Sequence, residues 1–495
     1  MSLQFIFGNS GSGKSHYLYQ QIVEESIRHP EKNYLVLVPE QFTMQTQKDL
    51  CMAHPRGGIM NIDVLSFGRL AHRVFEETGK ERQPILDDEG KNLVLRKIAG
   101  NYEDELTVLK GNLKKQGYIS EVKSVISEFT QYGIDFEQLD SFMEGLNSES
   151  YLYYKLKDIR KVYEGFEDYL HDKYITKEEL LDVLSQNVAE AKMLKDSVIA
   201  MDGFTGFTPV QNRLIGELLK VCDKIMLTVE IDRREDPFVY KHPYQLFALS
   251  TQMVTSLTEV AQEVRVEIDE PVWLCKNPSY RFKENPEMAF LEEELFRYSR
   301  RKYSGEKMQS ISLHEVHTPQ EEAQYVAEEI RRLVREEGYR YREIAVIASD
   351  LNTYADSLEK ACERYEIPVF MDHKKSILLN SFVEYLRSLL VMVEQNYTYE
   401  SVFRYLRTGL CGFTRDEVDR LENYCLALDL KGFKKWDQVW VRKTPMTKKE
   451  ELEELNQLRV RFVEKLTPLH TVLKKRRKTV KEITLAVYEY LVQEK

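Results

Sequence analysis

Short apolar runs separated by amphipathic stretches open the chain. Strand-like runs occur at five places, residues 3–7, 34–38, 59–65, 198–201 and 225–231. Helical spacing of apolar residues separates most of them, which predicts a parallel β-sheet covered by helices. Between about residues 82 and 194 the strand-like runs disappear, and helical spacing continues at residues 91–99, 121–132, 151–171 and 178–195. The pattern therefore predicts a sheet interrupted by an all-helical insertion.

A second alternating pattern follows a charged stretch that Pro271, Pro278 and Pro286 punctuate. It predicts strands at residues 310–316, 344–348 and 369–371, and helices at residues 320–337 and 354–365. After residue 380 the apolar spacing is helical through residue 495. We therefore expect a second α/β domain with an incomplete sheet and then a helical segment, as in a fragment of a longer protein.

The strongest chemical signal lies between the first strand and the first helix. It reads Gly8-Asn9-Ser10-Gly11-Ser12-Gly13-Lys14-Ser15 and fits the phosphate-binding pattern G-x-x-x-x-G-K-[ST]. Backbone N–H groups of such a loop hold phosphate oxygens, while the lysine reaches the β- and γ-phosphates and the last serine ligates Mg²⁺. The sequence therefore predicts that all eight residues bind ATP or a similar nucleotide.

The apolar run at residues 198–201 ends at Asp202. In P-loop enzymes an acidic residue at the end of a second strand helps to hold Mg²⁺. Asp202 is therefore a candidate metal ligand beside Ser15, although it fits equally well as a residue that ends a core strand at a turn. Gly203 follows and has no side chain with which to activate a water molecule.

Composition favours a reduced, intracellular environment. The chain has 495 residues, a net charge of −11 and six cysteines without a C-x-x-C pair, which argues against a zinc site or metal cluster within it. No apolar run approaches the ~18 residues of a membrane span. The P-loop strand begins too early for a signal peptide, so we expect a cytoplasmic protein without membrane contact.

One stretch is strongly basic, Lys474-Lys475-Arg476-Arg477-Lys478. It falls on a predicted helix, and we interpret it as a solvated face. The acidic net charge does not exclude binding to nucleic acid, because a local groove can still be positive.

Several segments resemble one family of DNA-processing proteins. Residues 35–43 read LVLVPEQFT, residues 64–71 read VLSFGRLA and residues 202–211 read DGFTGFTPVQ. Residues 339–348 (YRYREIAVIA) and 366–373 (EIPVFMDH) extend the match. Together these segments are similar to the B subunits of the AddAB-type helicase–nucleases of Firmicutes, and the resemblance runs through essentially the whole sequence.

The resemblance implies an α/β fold of the superfamily 1 helicase type. A P-loop RecA-like domain would comprise residues 1–80 and 196–275, with the all-helical insertion at residues 81–195. A connection at residues 276–305 would lead to an incomplete second RecA-like domain at residues 306–380. A helical segment would follow at residues 381–495 and end before the nuclease domain.

The resemblance also implies a function. A protein of this family binds ATP and DNA within a heterodimeric helicase–exonuclease that processes double-strand ends for recombinational repair. Its partner is the AddA-type motor and nuclease chain, and it scans single-stranded DNA for a Chi sequence. The family's nuclease motif and iron–sulfur cluster depend on a C-terminal part that is not recognisable here, so we expect no catalytic residue in this chain.

At positions that match the family, five residues would contact the single strand: Gln41, Thr43, Phe67, Arg69 and Phe207. The amide and hydroxyl can bond base edges, the guanidinium can hold phosphate or guanine, and the rings can stack on bases. Without the resemblance, both phenylalanines would fit core positions, and Arg69 would fit a salt bridge on a helix face.

Three departures separate the chain from helicase motors. Gly203 stands where motors commonly have a catalytic Glu, and Ser349 stands where many have an Arg that senses the γ-phosphate. Only seven residues precede Gly8, too few for an adenine-reading Gln. We expect regulatory or structural nucleotide binding with at most weak hydrolysis, which disfavours an autonomous superfamily 1 motor. An unrelated P-loop NTPase is disfavoured by the second α/β unit and the DGF segment.

Overall fold

A computed structural model describes residues 1–79, 84–113, 115–171, 173–305, 308–372, 377–443 and 449–492. His373, which ends one of the segments that carry the resemblance, and residues 493–495 lie outside these ranges. The chain forms two compact units, a first unit at Met1–Leu313 and a second unit at His314–Lys495.

The described strands all belong to the first unit. In chain order they are β1 (Ser2–Gly8), β2 (Tyr34–Leu37), β3 (Ile62–Leu65), β4 (Ile85–Leu86), β5 (Ile175–Thr176), β6 (Val198–Met201), β7 (Lys224–Glu230), β8 (Glu267–Ile268) and β9 (Val272–Trp273). Seven of them form one parallel sheet in the order β3-β2-β6-β7-β1-β8, with β9 also paired to β1. The predicted parallel sheet is therefore present, and the five long apolar runs are its five longest strands.

Helices cover both faces of this sheet. Those of the first unit are α1 (Lys14–Arg28), α2 (Thr43–Ala53), α3 (Phe67–Thr78), α4 (Asp88–Asn101), α5 (Gln116–Tyr132), α6 (Phe136–Glu144), α7 (Tyr151–Leu170), α8 (Leu180–Asn187), α9 (Pro209–Leu219), α10 (Ala248–Glu263) and α11 (Pro286–Glu294). Alternate strand residues face opposite sides. Phe5 and Leu35 pack with α3, α8, α9 and α10, whereas Ile6 and Val36 pack with α1 and α2. Burial on both faces explains why these strands are apolar throughout.

Side-chain caps start the helices that follow the strands. The Ser66 hydroxyl accepts a hydrogen bond from the Arg69 N–H at the start of α3 (3.4 Å). Thr208 and Gln211 form a reciprocal capping box around Pro209 at the start of α9. These local signals fix where each chain segment turns away from the edge of the sheet.

The insertion between β3 and β6 is not all helical. Helices α4 to α8 dominate it, but β4 and β5 form a short parallel pair there. Each of these strands has two residues, which is too short for its alternation to be visible in sequence. The prediction of an all-helical insertion was therefore wrong in this detail.

The helices of the second unit are α12 (Pro319–Glu336), α13 (Leu351–Arg364), α14 (Ser381–Glu394), α15 (Tyr399–Leu406), α16 (Arg415–Ala427), α17 (Phe433–Asp437), α18 (Lys449–Lys474) and α19 (Val480–Val492). Helices α12 and α13 share a small core that includes Ile330, Leu358 and Cys362. Helices α14 to α19 enclose a larger one around Trp436 and Phe462. The predicted helical segment after residue 380 is thus present in the described residues.

The three strands predicted for the second unit are not formed. Residues 310–316, 344–348 and 369–371 have no hydrogen-bonded strand partner in the part of the chain that the structure describes. Ile344 nevertheless has extended backbone angles (φ −112°, ψ 129°). An apolar run predicts an extended chain, but a strand also needs a neighbour with which to exchange hydrogen bonds.

The predicted connection at residues 276–305 belongs to the first unit. The boundary between the two units falls at Leu313, and the Arg297 guanidinium contacts the buried Asp232 carboxylate (2.5 Å) within the first unit. The finer division into five parts remains a prediction. All six cysteines are free thiols. Within the described ranges, no helix is long and apolar enough to cross a membrane.

Candidate functional site

The P-loop joins β1 to α1 at the carboxyl end of the sheet. Gly13 occupies the position before α1 with φ +93°, a left-handed conformation that a residue with a side chain rarely adopts. The chain therefore turns sharply, and the free N–H groups at the start of α1 point out of the helix. This geometry is that of an anion-binding helix N-terminus.

Lys14 lies across this loop. Its ammonium donates to the Asn9 carbonyl (3.0 Å). Burial lowers the pKa of Lys14, while the carboxylates of Glu230 and Asp202 partly oppose that shift. A desolvated cation with one carbonyl partner gains most from an anion, because a phosphate supplies the counter-charge that the loop lacks.

Ser15 and Asp202 meet although 187 positions separate them. The Ser15 hydroxyl donates to Asp202 Oδ1 (3.1 Å). Thr228 donates to the same oxygen (2.5 Å), and Tyr19 donates to Oδ2 (2.7 Å). Burial and the neighbouring carboxylate raise the pKa of Tyr19, so it remains a donor. The two residues predicted to hold Mg²⁺ are therefore adjacent, with the oxygen donors that this ion prefers.

A distant segment packs on the P-loop. The Arg281 N–H donates to the Gly11 carbonyl (3.1 Å), and the Asn9 amide donates to the Lys276 carbonyl (3.2 Å). The Ser279 hydroxyl is buried without a hydrogen-bond partner in the described residues, as is the Ser12 hydroxyl. Unpaired buried hydroxyls are costly, so both would gain from a ligand that accepts a hydrogen bond.

Sequence reasoning missed Ser279 and Arg281. They lie near residue 280, far from the P-loop in sequence, within a stretch that was predicted to be only a connection. No motif marks them in a single sequence. The nearest sequence signal was the proline spacing, which indicated irregular chain but did not show what it contacts.

Gly203 follows Asp202 in a left-handed conformation (φ +76°). A Cβ at Gly203 would lie 3.7 Å from Pro39 and 3.8 Å from Phe42, so the loop after β6 touches the loop after β2. The left-handed backbone at position 203 thus favours glycine, and glycine in turn leaves no side chain after Asp202. No carboxylate stands at that position to activate water.

The loops predicted to contact DNA follow three adjacent parallel strands. Strand β2 pairs with β3 on one side and β6 on the other, so their carboxyl ends lie side by side at one edge. Gln41 follows β2, Arg69 follows β3 and Phe207 follows β6. Both Gln41 and Arg69 are exposed, and no carboxylate in the described ranges pairs with Arg69. Within the described residues, Arg69 therefore does not form the salt bridge that was its alternative role.

Three aromatic rings meet between the loops after β3 and β6. The Phe67 ring centroid lies 5.5 Å from that of Phe204 and 6.2 Å from that of Phe207. Phe67 is only 7% exposed and belongs to the core, whereas the other two rings are partly exposed. Phe67 is therefore a core residue, as the alternative interpretation of its sequence position predicted. Of these three rings, Phe204 and Phe207 have exposed surface on which a base could stack.

Thr43 does not present its hydroxyl to solvent. It is buried, and the hydroxyl donates to the Glu40 carbonyl (3.0 Å) at the start of α2. This bond uses the only proton of the hydroxyl, and burial keeps its lone pairs away from a base, so a direct role for Thr43 would require the turn to open. Its neighbour Phe42 is 48% exposed instead, which makes Phe42 a contact candidate that the sequence did not single out.

Two known protein families match consecutive parts of the chain. A family described as ADDB, N-terminal matches residues 5–292, and a UvrD-like helicase C-terminal domain matches residues 282–493. Similar proteins are named as the B subunits of ATP-dependent helicase/deoxyribonucleases. The one from Lachnoclostridium phytofermentans is 40% identical over 494 residues, and one from Clostridium perfringens is 34% identical over 507 residues. A third, from Acetivibrio thermocellus, is 31% identical over 500 residues.

These alignments cover 99% of this chain but only 43% of each of these three relatives. The chain therefore spans less than half the length of the relatives that it matches.

Proposed function

Since the chain belongs to the ADDB, N-terminal family, we propose that it is the ATP- and DNA-binding, helicase-like part of the B subunit of a helicase–deoxyribonuclease. The whole enzyme would process double-strand DNA ends for recombinational repair. Its partner would be an AddA-type chain with motor and nuclease activity. The nuclease domain and iron–sulfur cluster that the family's B subunits carry would lie outside this sequence.

The nucleotide part of the proposal rests on one observation, the hydrogen bond between Ser15 and Asp202 at the mouth of the P-loop. Ser15 and Asp202 would hold Mg²⁺, and Lys14 would exchange the Asn9 carbonyl for a phosphate oxygen. Bound Mg²⁺ would neutralise phosphate charge. The hydroxyls of Ser12 and Ser279 would donate to the same phosphates.

Hydrolysis is expected to be slow. Gly203 offers no base beside Asp202, and Ser349 offers no guanidinium for the γ-phosphate. An ATPase assay with and without single-stranded DNA tests this directly, with Lys14→Ala as the control for the site. Weak turnover that DNA does not stimulate agrees with the proposal. Strong DNA-stimulated turnover that Lys14→Ala abolishes would show a motor instead.

The DNA part rests on the shared edge of β2, β3 and β6. We propose that a single strand crosses the loops after these strands and is read for a Chi sequence. Gln41 and Arg69 would contact bases or phosphates, and Phe207, with Phe42 and Phe204, would stack on bases. Phe67 would support Phe204 and Phe207 from the core.

Arg69 allows a matched test because Arg73 lies one turn further along α3. The Arg73 guanidinium is already paired with Asp63 (2.9 Å), whereas no carboxylate among the described residues pairs with Arg69. Arg69→Ala should weaken binding of a labelled single-stranded oligonucleotide by about 1 to 3 kcal/mol. Arg73→Ala should change it little. Equal effects of the two substitutions would remove Arg69 from the proposed contact surface.

A further inference from the structure

The basic run at residues 474–478 does not lie on a helix face as predicted. Helix α18 ends at Lys474 and α19 begins at Val480, so most of the run forms the turn between them. All five of its cationic side chains are exposed. We call residues 474–478 the basic turn.

Several cations elsewhere in this helical region are neutralised. Four arginines pair with carboxylates on neighbouring helices, in the pairs Arg404–Glu384, Arg407–Glu422, Arg420–Glu454 and Arg461–Glu417. Within the described ranges, no carboxylate pairs with Lys474, Lys475, Arg476 or Arg477. The closest acid in sequence, Glu482, accepts hydrogen bonds from the Thr479 N–H (2.7 Å) and hydroxyl (2.9 Å) and caps α19. These bonds lower the pKa of Glu482, and the charge of Lys475 adds to that shift without a close ion pair.

Lys478 has a structural role that explains its charge. Its ammonium donates to the carbonyls of Leu473 and Lys475 at the end of α18. A cation there compensates the partial negative charge of a helix C-terminus. The other four cations form no ion pair among the described residues, so their charges remain available to an external anion, although Lys474 also lies in the last turn of α18.

The two helices that flank the basic turn are packed in the helical core. Leu466 and Leu469 of α18 are buried in the helical core, and so is Tyr490 of α19, whose hydroxyl is hydrogen-bonded to that of Tyr405. The backbone that carries the four cations is therefore a short turn between two packed helices rather than a long loop. A fixed set of charges loses less entropy on binding than a mobile one.

The chemistry favours phosphates over bases. Residues 471–481 contain no Phe, Tyr or Trp, so the turn has no ring on which an unpaired base could stack. Two arginines and two lysines without carboxylate partners match closely spaced phosphates, which duplex DNA offers at one charge per ~1.7 Å of its axis. A positive patch also stands out on a chain whose net charge is −11.

We propose that Lys474, Lys475, Arg476 and Arg477 bind the phosphate backbone of double-stranded DNA without regard to sequence. This inference rests on the proposed function in one respect only, namely that the bound polyanion is DNA. It adds a duplex contact in the second unit to the proposed single-strand contacts of the first.

The test replaces all four residues with alanine in the 495-residue chain. Binding of a labelled blunt duplex of about 30 base pairs, long enough to cover several phosphates on each strand, is measured by fluorescence anisotropy over a range of salt concentrations. Affinity falls as salt rises, and each lost phosphate contact reduces the magnitude of the slope of log affinity against log salt by ~0.9. We expect the slope to fall by about 3 to 4, with equal effects on two unrelated duplex sequences.

A matched control removes four exposed cations from the other part of the second unit, Arg335, Arg342, Lys360 and Arg364. Both variants change the net charge equally, and circular dichroism confirms that each is folded. An unchanged slope in the basic-turn variant, or an equal fall in the control, overturns the inference.

The two proposals can fail separately. If the unaltered chain binds ATP and single strands but the basic-turn variant binds duplex normally, only this inference fails. If the basic turn governs duplex binding but Lys14→Ala and Arg69→Ala have no effect on their ligands, the proposed function fails and the inference stands. A chain that binds no DNA contradicts both.

Discussion

In the first unit, β2 lies between β3 and β6 and is hydrogen-bonded on both sides. In the second unit, residues 344–348 have an equally apolar sequence but no strand partner among the described residues. Val36 is fully buried as a result, whereas Ile347 is 95% exposed. Similar local propensity thus leads to opposite environments, because the environment of a strand is set by its neighbours.

The exposed segments of the second unit border an open space. A cavity of about 560 Å³ lies among residues that include Ile330, Val346, Ile367 and Phe370. Helices α12 and α13 supply its covered side. In the described residues, α12 and α13 therefore pack against segments that are not paired into a sheet.

The largest contrast between the units should appear in core substitutions. Phe5 in β1 is fully buried, and Phe370 is 91% exposed. Phe5→Ala should lower the free energy of unfolding of the first unit by about 3 to 5 kcal/mol, because it leaves a cavity. Phe370→Ala should change the stability of the second unit by less than about 0.5 kcal/mol. Hydrogen exchange read peptide by peptide measures each unit separately. A large cost for Phe370→Ala would mean that this segment is packed in solution.

Nucleotide binding should stabilise the first unit more than the second. At a concentration about 100 times its Kd, ATP with Mg²⁺ should add about 2.7 kcal/mol to the unfolding free energy of the unit that binds it. The effect should be seen in peptides from β1 and α1, and Lys14→Ala should abolish it. The helical core around Trp436 serves as the internal control. Equal stabilisation of that core would contradict a site confined to the P-loop.

Substitutions of helix N-cap residues should have the smallest effects on stability, and these effects should be similar in the two units. Ser66 caps α3 of the first unit and Thr318 caps α12 of the second, each by accepting a backbone hydrogen bond. Each substitution by alanine should cost about 1 kcal/mol, because a cap acts within its own helix. Thermal unfolding of the two variants measures this. A much larger cost in the first unit alone would show that its caps depend on the sheet.

Local features of this molecule could be predicted from sequence. The strand, loop and helix around residues 8–15 follow from a contiguous motif, and the burial of β1 follows from its apolar run. The meeting of Ser15 with Asp202 could also be anticipated, because carboxyl ends of parallel strands share an edge.

Features that depend on distant partners could not be predicted. The packing of Ser279 and Arg281 on the P-loop joins segments that are far apart in sequence, without a motif. The Thr43 hydroxyl looked available because the sequence does not show that Glu40 would accept its hydrogen bond. The unpaired segments of the second unit were predicted as strands because sequence periodicity carries no information about neighbours.

We propose that one edge of the first unit's sheet contacts single-stranded DNA beside a nucleotide site. The most direct measurement is photo-crosslinking of a single strand that carries a photoreactive thymidine analogue, followed by mass-spectrometric mapping of the attached peptides. We expect crosslinks in the loops after β2, β3 and β6, near Phe42, Arg69 and Phe207. Crosslinks found only in the second unit, with none in those three loops, would contradict it.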